Sequence, residues 1–271
     1  MEIYYALKIH STDEVLMALL LQFDFESYEE YDDHFIAYIQ KSKMDDLTLS
    51  EVEQLISKYT DSYTIEDILP QNWNALWEAS FQPVIVDGFC QVRADFHPPM
   101  DNISYDLIIN PKMAFGTGHH ATTFMMIQQM KDIDFRHKVV FDFGCGTGIL
   151  AILASKLGAS TVDAIDIEHE SYLNTQENSE VNKVYNVNTM EGDLDMAPDK
   201  KYEIILANIN RNILIRYAES LVKKLQINGT LLVSGILEED GLDVEEEFIS
   251  CGLKRVRDIS KDGWVSIMFK N

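Results

Sequence analysis

The run Asp142-Phe143-Gly144-Cys145-Gly146-Thr147-Gly148 constrains this chain more than any other feature. It lies between a strand-like segment, Val139–Phe143, and a helix-like one, Ile149–Leu157. Glycines at a strand-to-helix junction permit a tight turn and let backbone approach a ligand closely. In doubly wound sheets that junction lies outside the carboxyl ends of the strands, where ligands sit. The spacing is G-x-G-x-G, and Ile149 stands where a dinucleotide fingerprint needs its third glycine. No Gly-Lys-Ser/Thr follows, so a P-loop is excluded as well. Asp166 comes 22 positions after Gly144, at the end of the next predicted strand. An acid at that place can accept hydrogen bonds from both ribose hydroxyls of a nucleoside-like ligand. Its neighbours Asp163 and Glu168 compete for that role, and strand alternation predicts Asp163 at the surface.

The surrounding pattern supports an open parallel sheet. Strands are predicted at Val139–Phe143, Val162–Ile167, Asn186–Gly192, Tyr202–Asn208 and Gly229–Ile236, with helices between them. Repeated β-α alternation gives a mostly parallel sheet covered on both faces. Two terminal strands, Leu253–Ile259 and Trp264–Lys270, joined at Lys261-Asp262-Gly263, add an antiparallel element. The fold class expected is α/β, Rossmann-like and doubly wound, with an antiparallel terminal strand. Residues 1–70 read as a small α+β domain of ferredoxin-like type. Its strands are Glu2–Ile9, Phe35–Gln40 and Tyr63–Leu69. Its helices are Val15–Leu21, capped by Ser11 or Thr12, and Leu49–Tyr59, with Ser50 as its cap. Residues 71–100 form a connector, with Trp73, Trp77 and Phe81 on one helical face and a hairpin at Asp87-Gly88. The large domain is expected over 101–271.

Charge narrows the partners. Lys and Arg number 22 against 45 Asp and Glu, a formal net charge of −23. That excludes non-specific binding to nucleic acid and docking on anionic lipid, and it permits a basic partner. Residues 1–70 hold sixteen acidic and four basic side chains, net −12, about half of the total. The cysteines Cys90, Cys145 and Cys251 are far apart and form no C-x-x-C pair, which argues against a zinc ribbon and fits a reducing compartment. The N-terminus is not a signal peptide, and the apolar run Val15–Leu21 is too short to span a bilayer. A soluble, cytoplasmic protein is expected, with no metal centre: His119-His120 has no carboxylate or cysteine at ligand spacing.

The D-x-G-x-G-x-G run followed by an acid at the next strand end resembles the Rossmann-like methyltransferases that use S-adenosylmethionine. A second cluster, Met113-Ala114-Phe115-Gly116-Thr117-Gly118-His119-His120-Ala121-Thr122-Thr123, resembles the F-G-T-G-T-H-P-T-T signature of the family that methylates large-subunit ribosomal protein eleven. The aromatic connector Asn72-Trp73, Trp77, Phe81 and Pro83, the run Val140–Ala151 and the element Ala207-Asn208-Ile209 are similar to that family too. The likeness covers residues from about 72 to the end. Two departures stand on the substrate side: Ala121 replaces a proline, and Asn210-Arg211 replaces a small, glycine-containing stretch. The Pro-Pro-Tyr form seen after the fourth strand in adenine and glutamine methyltransferases is absent.

The resemblance implies S-adenosylmethionine as cofactor, held by Thr123, Gly144, Gly146, Asp166, Asp193 and Asn208, with Asp193 near the adenine. It implies Asn208, His120 and Thr117 on the reacting side. The implied reaction is methylation of lysine side chains and the N-terminal amino group of a basic ribosomal protein, with no nucleic acid or membrane required. Asp142 is read as an organiser of the loop, and Cys145 as a bystander. Two other readings compete: a methyltransferase for another protein or a small molecule, and a non-catalytic module that binds a ribosomal protein.

Overall fold

In a computed structural model the residues described are 3–20, 22–68, 82–110, 116 and 118–271. The chain divides into two compact units, Met1–Ser80 and Phe81–Asn271. The predicted helical face of Trp73, Trp77 and Phe81 lies outside the described residues, as does Thr117.

The small unit runs β1 (Tyr4–Ile9), α1 (Glu14–Leu20), β2 (Ser27–Glu30), β3 (Phe35–Gln40), α2 (Asp46–Ile56) and β4 (Tyr63–Ile68). Its sheet order is β2-β3-β1-β4, with antiparallel neighbours throughout. Leu7, Ile9, Phe35, Ala37 and Ile39 alternate toward one face and pack against Leu16, Leu20, Val52 and Ile56 from the two helices. Both helix starts differ from the expectation. Asp13 caps α1, accepting from the backbone N–H of Val15 at 2.8 Å and of Leu16 at 3.3 Å. Asp45 caps α2, accepting from Thr48 N–H at 2.8 Å. In each case a carboxylate, one to five residues from the predicted hydroxyl, wins because it also meets the positive end of the helix. Strand β2, Ser-Tyr-Glu-Glu, goes unpredicted: it is a short, charged edge strand, which carries little apolar pattern.

The large unit adds β5 (Val84–Val86), β6 (Cys90–Arg93) and β7 (Tyr105–Ile108) in a three-stranded sheet. Asp87 and Gly88 both take positive φ in the turn that joins β5 to β6, where Phe89 N–H donates to Val86 C=O at 2.8 Å. Then follow α3 (Ala121–Met130), β8 (Val139–Phe143), α4 (Ile149–Lys156), β9 (Thr161–Asp166), α5 (His169–Val181), β10 (Val187–Glu191), β11 (Tyr202–Asn208), α6 (Arg211–Lys224), β12 (Leu225–Leu237), α7 (Gly241–Ser250), β13 (Lys254–Lys261) and β14 (Trp264–Lys270). These strands form a sheet ordered β10-β9-β8-β11-β12-β14-β13. It is parallel from β10 to β12, and β14 runs antiparallel to both β12 and β13. The order reverses between β8 and β11, the switch point where such sheets open a crevice.

Successive residues of each central strand supply opposite cores. Val140, Ile204, Leu206 and Leu232 face Met126, Met130 and Leu153, while Phe141, Ile205, Ala207 and Leu231 face Leu214, Leu221 and Phe248. Asp163 departs from its predicted surface position: it is 2% exposed. Both sheet faces are covered here, and the carboxylate is met by Tyr202 Oη at 2.8 Å, Asn188 Nδ2 at 2.9 Å and Lys200 Nζ at 2.7 Å. Burial alone would raise its pKa; these three donors outweigh that and hold it below the ordinary range.

Helix α5 is covered by a polar ladder. Asn174, Asn178 and Asn182 repeat every four residues and are all buried. Asn182 brackets Ile108, accepting from its N–H at 3.0 Å and donating to its C=O at 2.6 Å. Asn178 accepts from Asn110 N–H at 3.1 Å and donates to Thr147 C=O at 2.9 Å, and Asn174 donates to Asn110 C=O at 3.3 Å. The helix thereby satisfies the backbone that follows β7 and ties it to the glycine turn. Among the described residues no helix is long and apolar enough to cross a membrane.

Candidate active site

A cavity of about 910 Å³ opens at the carboxyl ends of β8, β9 and β11. Its floor is the glycine turn. Gly144, Gly146 and Gly148 all have positive φ, and at Gly144 a Cβ would lie 2.2 Å from Ile209 Cγ2. A side chain there would displace the loop that follows Asn208. Asp142, at 0% exposure, accepts from Ala151 N–H at 3.0 Å and so ties the strand end to the first turn of α4. Its second oxygen, Oδ1, is buried with no hydrogen-bond partner among the described residues, and burial pushes the carboxyl's pKa up to about 7. Cys145 is buried, and burial raises its thiol well above the ordinary range, so it is no thiolate nucleophile.

Asp166 reaches back to the same turn. Its Oδ2 accepts from Gly146 N–H at 2.8 Å and its Oδ1 from Glu168 N–H at 3.0 Å. These bonds fix the carboxylate at the lip of the cavity, which Asp166 lines together with Glu168, Glu170 and Asp193. Asp193 accepts from Asp195 N–H at 3.1 Å, turning the chain after β10.

On the other wall, Asn208 donates from Nδ2 to Thr123 Oγ1 at 3.3 Å, joining the end of β11 to α3. The side-chain amide oxygen of Asn208, Oδ1, is buried without a partner among the described residues. A buried, unpaired acceptor lining a cavity is what a ligand donor would satisfy. His120, expected beside the reacting groups, lines the cavity and is the N-cap of α3. His120 Nδ1 accepts from Thr122 N–H at 3.3 Å and lies 2.8 Å from Thr122 Oγ1. Its ring meets Trp264 edge to face, with centroids 4.7 Å apart. Thr147 Oγ1 donates to Gly116 C=O at 2.6 Å, anchoring the segment before α3 to the glycine turn.

The structure thus brings together Thr123, Gly144, Gly146, Asp166, Asp193, Asn208 and His120 around one cavity. Sequence reasoning missed Trp264, Gly235, Tyr217 and Ile167 on the same walls. Ile167 is an apolar residue, 68% exposed, directly after a strand-end acid, and that pairing was a usable signal. Gly235 has φ +83°, and a Cβ on it would come 2.4 Å from the carbonyl oxygen of Ile209, a contact invisible in sequence.

A family model described as ribosomal protein L11 methyltransferase matches residues 9–271. The chain belongs to this family. A ribosomal protein L11 methyltransferase of Porphyromonas gingivalis is 39% identical over 97% of this chain and 92% of its own length. One of Phocaeicola vulgatus is 35% identical over 96% of this chain and 94% of its own length. The crystal structure of ribosomal protein L11 methylase from Lactobacillus delbrueckii subsp. bulgaricus matches with a TM-score of 0.63 and 27% identity, covering 70% of this chain and 98% of that one. Family membership fits the crevice at the switch point, because the glycine turn, the strand-end acid and the Ala207-Asn208-Ile209 element all border it.

Proposed function

We propose that this protein transfers methyl groups from S-adenosylmethionine to amino groups of ribosomal protein L11, on lysine side chains and on the N-terminus. The observation that carries the reading is the buried side-chain Oδ1 of Asn208 on the wall of the cavity, without a partner among the described residues. The names of the relatives support the substrate.

The residues present suit the cofactor. The cavity matches the few-hundred to about 1,000 Å³ of small-molecule sites. Asp166 would take the ribose hydroxyls, Asp193 would lie toward the adenine, and the turn Gly144–Gly146 with Thr123 would take the methionine part. Bound there, S-adenosylmethionine supplies a methyl group already activated on a sulfonium. The chain therefore has to position an amine rather than generate a nucleophile.

An amine of lysine titrates near 10.4 in water and must be neutral to attack. Enclosure between Asn208, His120 and Trp264 disfavours its charged form. Asn208 Oδ1 accepts one N–H of the neutral amine and so aims its lone pair. Its Nδ2 remains on Thr123, which keeps the amide from rotating. His120 closes the wall with its ring braced on Trp264. Water takes the proton that the amine releases.

The small unit is the proposed reader of the substrate. Its β-α-β-β-α-β order and its sheet order fit a ferredoxin-like domain. Its net −12 over residues 1–70 would steer a Lys- and Arg-rich ribosomal protein. A cytoplasmic location follows from such a substrate.

The test incubates the protein with isolated ribosomal protein L11 and labelled S-adenosylmethionine, with mass mapping of the methylated residues. Label on amino groups, with transfer efficiency falling as salt rises, supports the reading. Cofactor binding without transfer identifies a binding module instead, and transfer only to other acceptors overturns the substrate.

A further inference from the structure

The small unit carries a cluster that the methyl-transfer reading does not use. The pairing of β1 with β3 ends at Ile9 opposite Phe35. His10 and His34 are the next residues on each strand, and their ring centroids stand 5.4 Å apart. Asp33 precedes His34, and its Oδ1 lies 2.6 Å from His34 Nδ1. One ligand atom from each of His10, Asp33 and His34 falls within 4.8 Å of the other two. Among the described residues no other trio of His, Cys, Asp or Glu does so.

The cluster is held on both sides. His34 is 14% exposed at its side chain and stacks on Tyr31, with centroids 4.5 Å apart and planes 6° from parallel. Tyr31 in turn donates to Glu29 at 2.9 Å, and its backbone N–H donates to His34 C=O at 2.9 Å. The backbone of His10 is pinned by donation to Ser62 C=O at 3.0 Å. The His10 and Asp33 side chains are exposed to solvent.

We propose that His10, Asp33 and His34 form a binding site for one late first-row divalent cation, of which zinc is the type. Two imidazoles and one carboxylate suit zinc, nickel or copper and do not suit magnesium or calcium, which prefer all-oxygen shells. Bonds of about 2.0–2.2 Å place tetrahedral ligand atoms about 3.4 Å apart. The ligand atoms already lie within 4.8 Å of one another, and shifts of about 1–1.5 Å, with the Asp33–His34 hydrogen bond giving way, bring them to that spacing. Three protein ligands leave a fourth position open to water or to a donor from a partner. The negative charge of the surrounding 70 residues raises the local cation concentration. The site involves no residue of the methyl-transfer cavity, so it stands or falls separately.

The test titrates the full, tag-free chain with zinc chloride by calorimetry, with cobalt(II) absorption as a second readout. One equivalent should bind with a Kd of about 10 μM or tighter. His10→Ala and Asp33→Asn should each weaken it at least about tenfold. His34→Gln is the third variant, and circular dichroism verifies that each folds. His137→Asn, at a left-handed turn that asparagine tolerates, should leave binding unchanged. Absence of a saturable equivalent, or equal affinity in folded His10 and Asp33 variants, overturns the proposal.

Discussion

Asp142 offers a quantitative test of how the site is built. Its carboxyl is fully buried, with one oxygen on Ala151 N–H and the other without a partner among the described residues. Burial pushes it from the ordinary 3.8 up to about 7. An unfolded chain would ionise this group near 3.8, so the unfolded state loses the proton first. Stability attributable to Asp142 therefore falls as pH rises from about 4 to about 7 and then levels off. The displacement corresponds to about 4 kcal/mol in total, of which about 3 kcal/mol is lost between pH 5 and pH 8. Asp142→Asn keeps an acceptor for Ala151 N–H and carries no charge at any pH. Urea unfolding of both proteins, followed by circular dichroism at pH 5 and pH 8, gives the difference directly. Other titrating groups cancel between the two. The variant should gain about 3 kcal/mol relative to the parent on going from pH 5 to pH 8. A difference that does not change with pH refutes the argument that burial holds this carboxyl neutral.

Three further perturbations probe the scaffold around the cavity. Gly235→Ala adds a Cβ 2.4 Å from a backbone oxygen at φ +83°, so it should cost at least about 2 kcal/mol in a thermal melt and lower methyl transfer through the shifted Ile209. Asp163→Ala leaves Tyr202 Oη and Lys200 without their acceptor and should destabilise by about 3 kcal/mol above pH 4; since the native carboxyl is held low, the loss relative to the parent should shrink as pH falls through its folded value. Asn178→Ala removes partners from Asn110 N–H and Thr147 C=O, about 1–3 kcal/mol for each stranded group, and amide exchange at Asn110 should quicken.

What could be read in the sequence is what local patterning controls. The continuous apolar strands Val139–Phe143 and Tyr202–Asn208 are legible because both of their faces are buried. The glycine turn is legible because positive φ selects the residue type. Asp166 is legible because a strand end fixes its place, and the structure adds that it bonds to Gly146 N–H. Other features depend on partners far along the chain. Asp163 is buried because Tyr202 and Lys200 arrive from 39 and 37 positions away. The asparagine ladder of α5 reads as a solvated helix until the strand backbone 64 to 74 positions earlier is laid beside it. His120 and Trp264 meet across 144 positions, and no local signal pairs them. Helix caps were misplaced by one to several residues because hydroxyl and carboxylate candidates stand together at each start, and only backbone geometry chooses between them.

The central claim is that Asn208 orients an acceptor amine and does not merely fill the wall. Asn208→Ala measures it, with labelled methyl transfer to ribosomal protein L11 compared against S-adenosylmethionine affinity from calorimetry. The account predicts turnover reduced by about 10²–10³, with cofactor affinity changed by less than about tenfold. Turnover at the parent rate, with the cofactor bound as before, would contradict it.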